Sequence, residues 1–188
     1  MNPTTTLHRR ALLAATLAGL AATLAACGGE GEQDAGSPFG LTPWPDAAAT
    51  GPEPGDRAPN FTLETVDGAP ITLAALAGAP VVLNFFASWC TNCKEEMGAM
   101  QTAHLAGTTV VGIDLRESAD TVRALAAETG ATFPLALDRT GDVTRGGFRI
   151  VNLPATVVLD ATGVIRAFFR GPIEADDIAA AVAAAGGS

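Results

Sequence analysis

The order of elements along this chain predicts an α/β fold, a single mixed β-sheet with helices on both faces that is entered through an N-terminal β-hairpin. Three observations carry that reading. Residues 80–87 and 109–114 are nearly continuous apolar runs of strand length, without the polar alternation of a strand that faces water on one side, so they read as central strands covered on both faces. A segment of helix-forming composition follows each of them, which is the β-α-β order of a parallel pair. Two later strand-like runs joined by a tight turn, and then a closing helix, place antiparallel strands at the far edge.

The chain begins with a segment that reads as an address. Residues 1–26 have a short polar start ending in His8-Arg9-Arg10 and then an Ala/Leu stretch from Ala11 to Ala26, the layout of a secretory signal. That stretch is shorter than the roughly 20 residues a bilayer span needs. Leu24-Ala25-Ala26-Cys27 resembles a bacterial lipobox, which implies cleavage before Cys27 and lipidation of its sulfur, leaving Cys27 no redox role. A plain signal peptide and an uncleaved anchor are the competing readings. Arg9-Arg10 suits twin-arginine export and equally the ordinary positive start of a general signal, so the export route stays open. Residues 27–54, rich in Gly, Pro, Ala, Asp and Glu, read as a flexible lipid-anchored linker whose work is reach, with Trp44 lying loosely on the domain.

Residues 55–188 are expected to form one domain. Phe61 to Glu64 alternates, Asp67-Gly68 turns the chain, and Ile71-Thr72-Leu73 returns, giving the hairpin. A helical turn around 74–77 precedes the first central strand. A helix is expected from Lys94 to about Leu105 after it, the second central strand at 109–114, and a helix at 120–129 that Gly130 stops. A short strand at 133–137, a turn or short helix at 141–147, strands at 156–160 and 164–169 about Ala161-Thr162-Gly163, and a helix at 175–185 complete the chain.

Composition narrows the function. The formal charge is −9, and loss of Arg9 and Arg10 with the leader leaves nine basic against twenty acidic residues, so no basic stripe exists to neutralise phosphates and a nucleic-acid partner is excluded. The cysteines are three, Cys27, Cys90 and Cys93, too few for a disulfide framework. Cys90-Thr91-Asn92-Cys93 stands between a buried strand and a helix, which places Cys90 in the first helical turn, where unpaired N–H groups and the helix dipole favour a thiolate. The spacing brings the second sulfur within bonding distance of the first. Cys90 is then the nucleophile towards a target disulfide and Cys93 resolves the mixed disulfide, with Trp89 screening the site and shaping its approach. A zinc half-site and two inert core cysteines are the competing readings. Structural zinc takes four ligands and the mature chain would hold only His104 besides the pair, so no metal and no cofactor is expected.

Residues 81–97, from Val81 through Ser88-Trp89-Cys90-Thr91-Asn92-Cys93 to Lys94-Glu95-Glu96-Met97, closely resemble the active-site segment of thioredoxin-like oxidoreductases of the ResA and TlpA kind. Gly55 to Phe61 resembles that family's domain opening, and Asn152-Leu153-Pro154-Ala155-Thr156 its second landmark. The resemblance runs from about Gly55 to the C-terminus and implies a thioredoxin-like fold, with a membrane-attached, extracytoplasmic oxidoreductase as the activity. It also implies a cis Pro154 facing the pair, and a Leu153 backbone that, with Trp89, meets an extended substrate segment. Thioredoxins usually carry a buried Asp six residues before the first cysteine, where this chain has Asn84, which cannot accept a proton from Cys93. Glu96 takes that part in the resemblance, since the group carries an acid there, one helical turn beyond Cys93. Glu96 as a solvent-facing helix acid is the alternative. Asn92 and Gly98 stand where the family often has proline, and residues between the cysteines tune the pair's potential.

The partners that follow are protein disulfides, apocytochrome c among them by resemblance, and a membrane thiol carrier that donates electrons, since an oxidising compartment would otherwise keep the pair oxidised. Two other functions compete. A peroxiredoxin would want Thr or Ser three residues before its reactive cysteine and a proline further upstream, where Ala87 and Leu83 stand. A copper-binding module on the same fold would add a histidine and wider cysteine spacing.

Overall fold

A computed structural model describes residues 53–186 and the backbone of the two-residue strand β1 (Thr42–Pro43). The signal segment, Cys27 and most of the linker, with Trp44, lie outside the described residues. β1 pairs antiparallel with β2 (Pro59–Asn60). The main sheet has seven strands: β3 (Thr62–Thr65), β4 (Pro70–Thr72), β5 (Val81–Phe86), β6 (Thr109–Leu115), β7 (Leu135–Asp138), β8 (Ala155–Leu159) and β9 (Ile165–Arg170). Their spatial order is β4-β3-β7-β6-β5-β8-β9, with β5, β6 and β7 parallel and the rest antiparallel to their neighbours. Three helices complete the domain, α1 (Thr91–Leu105), α2 (Ala119–Thr129) and α3 (Ala175–Gly186).

The parallel core forms because β5 and β6 are buried along almost their whole length, as their unbroken apolar character requires. Side chains on a strand alternate between faces, and the two halves of the core sort accordingly. Val82 and Phe86 of β5 join Val110 of β6, Leu135 and Leu137 of β7, and Val158 of β8 beneath all three α-helices, where Met97, Met100, Val122, Leu125 and Ile178 meet them. Val81, Leu83 and Phe85 face the other way, with Val111, Ile113, Val157, Phe61, Leu73 and Phe148. The helical cover on that second face is slight, a 3₁₀ turn at Leu73–Leu76 and a π-helical segment at Asp142–Gly147. Helical segments therefore stand on both faces, with the long ones all on one.

The N-terminal hairpin is part of the sheet, since β3 pairs with β7 and carries β4 to the edge. α2 starts at Ser118, whose hydroxyl accepts the Thr121 N–H, and stops at Gly130 in the left-handed conformation. Among the described residues, no helix is long and apolar enough to cross a membrane.

Candidate active site

β5 ends at Phe86, and four residues later the chain enters α1, so the sheet delivers Cys90 to a helix N-terminus. Cys90 is the N-cap itself, one step before the first helical turn: its backbone is extended and its sulfur accepts the Cys93 N–H at 3.3 Å. Cys90 and Cys93 are joined as a disulfide with their Cα atoms 5.2 Å apart. Cys93 is buried, and Cys90 is only 8% exposed. Both pack in the cluster beneath α1.

Period-two alternation on β5 turns Asn84 to the same side as Val82 and Phe86, towards α1. There its amide donates to Glu96 Oε1 at 2.5 Å and to Thr156 Oγ1 at 3.2 Å. Thr156 is the β8 residue directly opposite Asn84. Glu96 is 3% exposed, and its other oxygen accepts the Ile173 N–H at 3.3 Å. Burial pushes the Glu96 carboxyl up from the ordinary 4.5 to about 7, against the pull of the Asn84 and Ile173 hydrogen bonds. Glu96 is thus a buried acid one turn beyond Cys93, rather than a surface acid like Glu95. A cleft of about 210 Å³ between α1 and the start of α3 has Glu96, Gly98, Thr102, Ile173 and Glu174 in its lining. A larger groove of about 530 Å³ between the hairpin and α2 touches none of the expected site residues.

The Leu153–Pro154 peptide bond is cis. Pro154 is buried at the start of β8, and half-buried Leu153 packs against the cluster that holds both cysteines. Trp89 is 68% exposed, so it offers a contact surface more than the screen that the sequence suggested. The structure thus brings Cys90, Cys93 and Glu96 together on α1, and places Trp89 in the loop before it and Leu153 against the same cluster.

Sequence reasoning missed a second polar group on this side of the sheet. The Glu117 carboxylate accepts both the Ser88 N–H and the Ser88 hydroxyl, each at 2.6 Å, and so holds the loop that leads into Trp89 and Cys90. Asp114, fully buried at the end of β6, accepts the Glu117 N–H at 2.9 Å. Burial first, and then the acidic neighbours Glu117 and Asp138, push Asp114 up to about 8. The only sequence signal for this group was an acid interrupting an apolar strand. Val151, 70% exposed just before Leu153, was missed as well. Among the described residues, no group of three or more His, Cys, Asp or Glu is placed to hold a metal ion.

Comparison with known proteins agrees with this geometry. The family model described as the AhpC/TSA family matches residues 54–168. The chain is 34% identical over 122 residues to the thioredoxin-like protein YneN of Bacillus subtilis, covering 62% of this chain and 71% of that one. It is 33% identical over 130 residues to the thiol-disulfide oxidoreductase ResA of Oceanobacillus iheyensis, covering 65% and 67%. Among solved structures, it superposes on a thioredoxin-family thiol:disulfide interchange protein from Chlorobium tepidum with a TM-score of 0.60 at 32% identity, over 71% of this chain and 97% of that one. A secreted disulfide oxidoreductase of Mycobacterium tuberculosis homologous to E. coli DsbE gives a TM-score of 0.60 at 28% identity, over 66% and 95%.

Proposed function

Because the chain belongs to the AhpC/TSA family and is a thiol-disulfide oxidoreductase of the ResA and DsbE type, we propose that it reduces protein disulfides outside the cytoplasm through Cys90 and Cys93. The observation that carries this reading is a disulfide across one helical turn at the N-terminus of α1, with a buried Glu96, raised to about 7 and so able to take up or release a proton near neutrality, one turn further on. In the reduced protein the Cys90 thiolate, favoured by the helix N-terminus, attacks one sulfur of the substrate disulfide and expels the other as a thiolate. Cys93 passes its proton to Glu96 and attacks the Cys90 sulfur. The Cys90–Cys93 bond closes and the second substrate thiolate leaves, so that two electrons have gone to the substrate; its two thiolates take their protons from solvent, to which Glu96 gives up the one it received from Cys93. A membrane thiol carrier returns two electrons to the pair. Trp89, Leu153 and Pro154 supply the surface on which the substrate segment lies.

The same reading assigns residues 1–26 to a lipoprotein signal, Cys27 to the lipid anchor and residues 27–54 to the tether, with apocytochrome c among the substrates. The M. tuberculosis neighbour is a secreted protein, which supports the compartment. Thiol peroxidase activity is the second reading, since the family match carries that chemistry in its range; against it, Ala87 is apolar and fully buried where a peroxidatic site wants a hydroxyl.

The deciding experiment is equilibration of the pair with redox buffers, together with a Cys93→Ser variant incubated with a protein disulfide. We expect a potential well below about −180 to −210 mV, and a mixed disulfide trapped on Cys90. A potential near about −120 mV would make the protein a disulfide donor, and rapid consumption of hydroperoxide would favour the peroxidase.

A further inference from the structure

Glu117 takes no part in the exchange chemistry, yet it is built into the approach to the sulfurs. The Cys90 N–H donates to the Ala87 carbonyl at 3.2 Å and closes a turn whose two central residues are Ser88 and Trp89. Such a turn leaves the N–H of its first central residue outside the closing bond. Ser88 is half-buried, so that N–H needs an acceptor. Glu117 supplies one at 2.6 Å, while its other oxygen takes the Ser88 hydroxyl at the same distance. Strand register brings the two residues together: Phe86 lies opposite Asp114 in the parallel β5–β6 pair, so both chains leave the sheet at the same end.

Glu117 is itself held firmly. Its N–H donates at 2.9 Å to Oδ2 of Asp114, a fully buried carboxyl. Arg116, just before it, stands at a φ of 67°, in the left-handed region that is costly for a residue with a side chain. Two bonds keep it there, from its N–H to the Asp138 carbonyl at 3.1 Å and from its Nε to the Thr140 carbonyl at 2.8 Å. Ser118, just after it, caps α2. Backbone strain of this kind persists only where the surroundings over-determine it, and here the strained turn directs the next carboxylate at Ser88.

Cys90 and Trp89 depend on this support unequally. Cys90 is tied to α1, since its sulfur accepts the Cys93 N–H at 3.3 Å and its carbonyl accepts the Cys93 and Lys94 N–H groups at 3.1 and 3.3 Å. Trp89 is 68% exposed, and its side chain makes no hydrogen bond and no ring contact with any described residue, so the turn alone sets its place. We propose that Glu117 is a positioning residue for substrate recognition: by holding Ser88 it fixes the turn that presents the Trp89 ring to the protein segment around a target disulfide, and it leaves the sulfur chemistry to α1. The inference rests on the disulfide-exchange reading above and adds to it the residue that preorganises the contact surface. A ring held in advance loses less freedom when a partner lands on it, so the gain falls on binding.

The test is single-turnover oxidation of the reduced full chain by excess of a synthetic peptide closed by a disulfide between apolar residues. Hydroxyethyl disulfide, too small to need the Trp89 surface, is run beside it. Glu117→Gln keeps the volume and one acceptor oxygen but turns an NH2 donor towards a Ser88 donor. It should raise the half-saturating peptide concentration about 5- to 10-fold, with the limiting rate kept within about twofold and the hydroxyethyl disulfide rate unchanged. In a Trp89→Ala background the same substitution should have no further effect, because Glu117 acts through that ring. Ser88→Ala removes only the hydroxyl bond and should shift half-saturation the same way by a smaller factor; it is read alone should Glu117→Gln fold poorly. Equal losses on both substrates, an unchanged half-saturation, or an effect that persists undiminished without Trp89 overturns the assignment. Those outcomes leave disulfide exchange standing, whereas a wild-type protein that reduces neither substrate removes the exchange reading itself.

Discussion

Asn84 has one polar atom to spare: its Oδ1 is buried without a hydrogen-bond partner while its amide nitrogen serves Glu96 and Thr156. That arrangement suits a carboxylate at position 96. When Glu96 holds a proton, rotation of the Asn84 amide gives that O–H an acceptor, so the pair can accommodate both charge states without moving the backbone. Glu96→Gln removes the titration and keeps the volume. The variant should lose the inflection near pH 7 in its reaction with substrate, and the resolving step should slow by about 100-fold or more, read by stopped-flow from about pH 5 to 9. Cys90, Cys93 and Glu96 were all legible in the sequence, because their relation is local to one helix. The bond from Glu117 to Ser88 was not, because it joins loops 29 residues apart that only the pairing of β5 with β6 brings together.

Helix and strand positions were legible to within a few residues, because their apolar periodicity is written locally. What the local pattern could not show is pairing. The hairpin read as an appendage, and it proves to be an edge of the main sheet, since β3 meets β7 across about 70 residues of intervening chain. Gly112 shows how tightly these elements meet. It lies opposite Asn84 in the β5–β6 pair and opposite Leu135 in β6–β7. A Cβ there would stand 2.6 Å from Leu135 Cδ2, 3.0 Å from Phe86 Cε1 and 3.1 Å from Phe133 Cε2. Gly112→Ala should therefore destabilise the domain by about 1–3 kcal/mol, measurable as a lower urea midpoint with little change in m-value, because the two rings cannot both give way in a packed core.

Two buried acids held above their ordinary range make the stability of the whole domain depend on pH in an unusual sense. For Glu96, raised from 4.5 to about 7, the folded state favours the neutral form; stability is complete below the ordinary value and is lost as pH rises through the folded one. Its share of the loss is on the order of 3 kcal/mol. Asp114, raised from 3.8 to about 8, acts in the same direction. Urea midpoints of the oxidised protein should fall between about pH 5 and 8.5, and Glu96→Gln should flatten part of that slope; a midpoint that rises across the range would contradict both assignments. The cleft between α1 and α3 has a last consequence for the path of the proton. A substrate lying on Trp89, Leu153 and Pro154, as proposed above, would leave this flank open, and Gly98 there is exposed with no atom near its missing side chain. By that route the proton that Glu96 takes from Cys93 would pass on to bulk water. Cargo and protons would then use different faces of the molecule, the cleft lying apart from Trp89, Leu153 and Pro154.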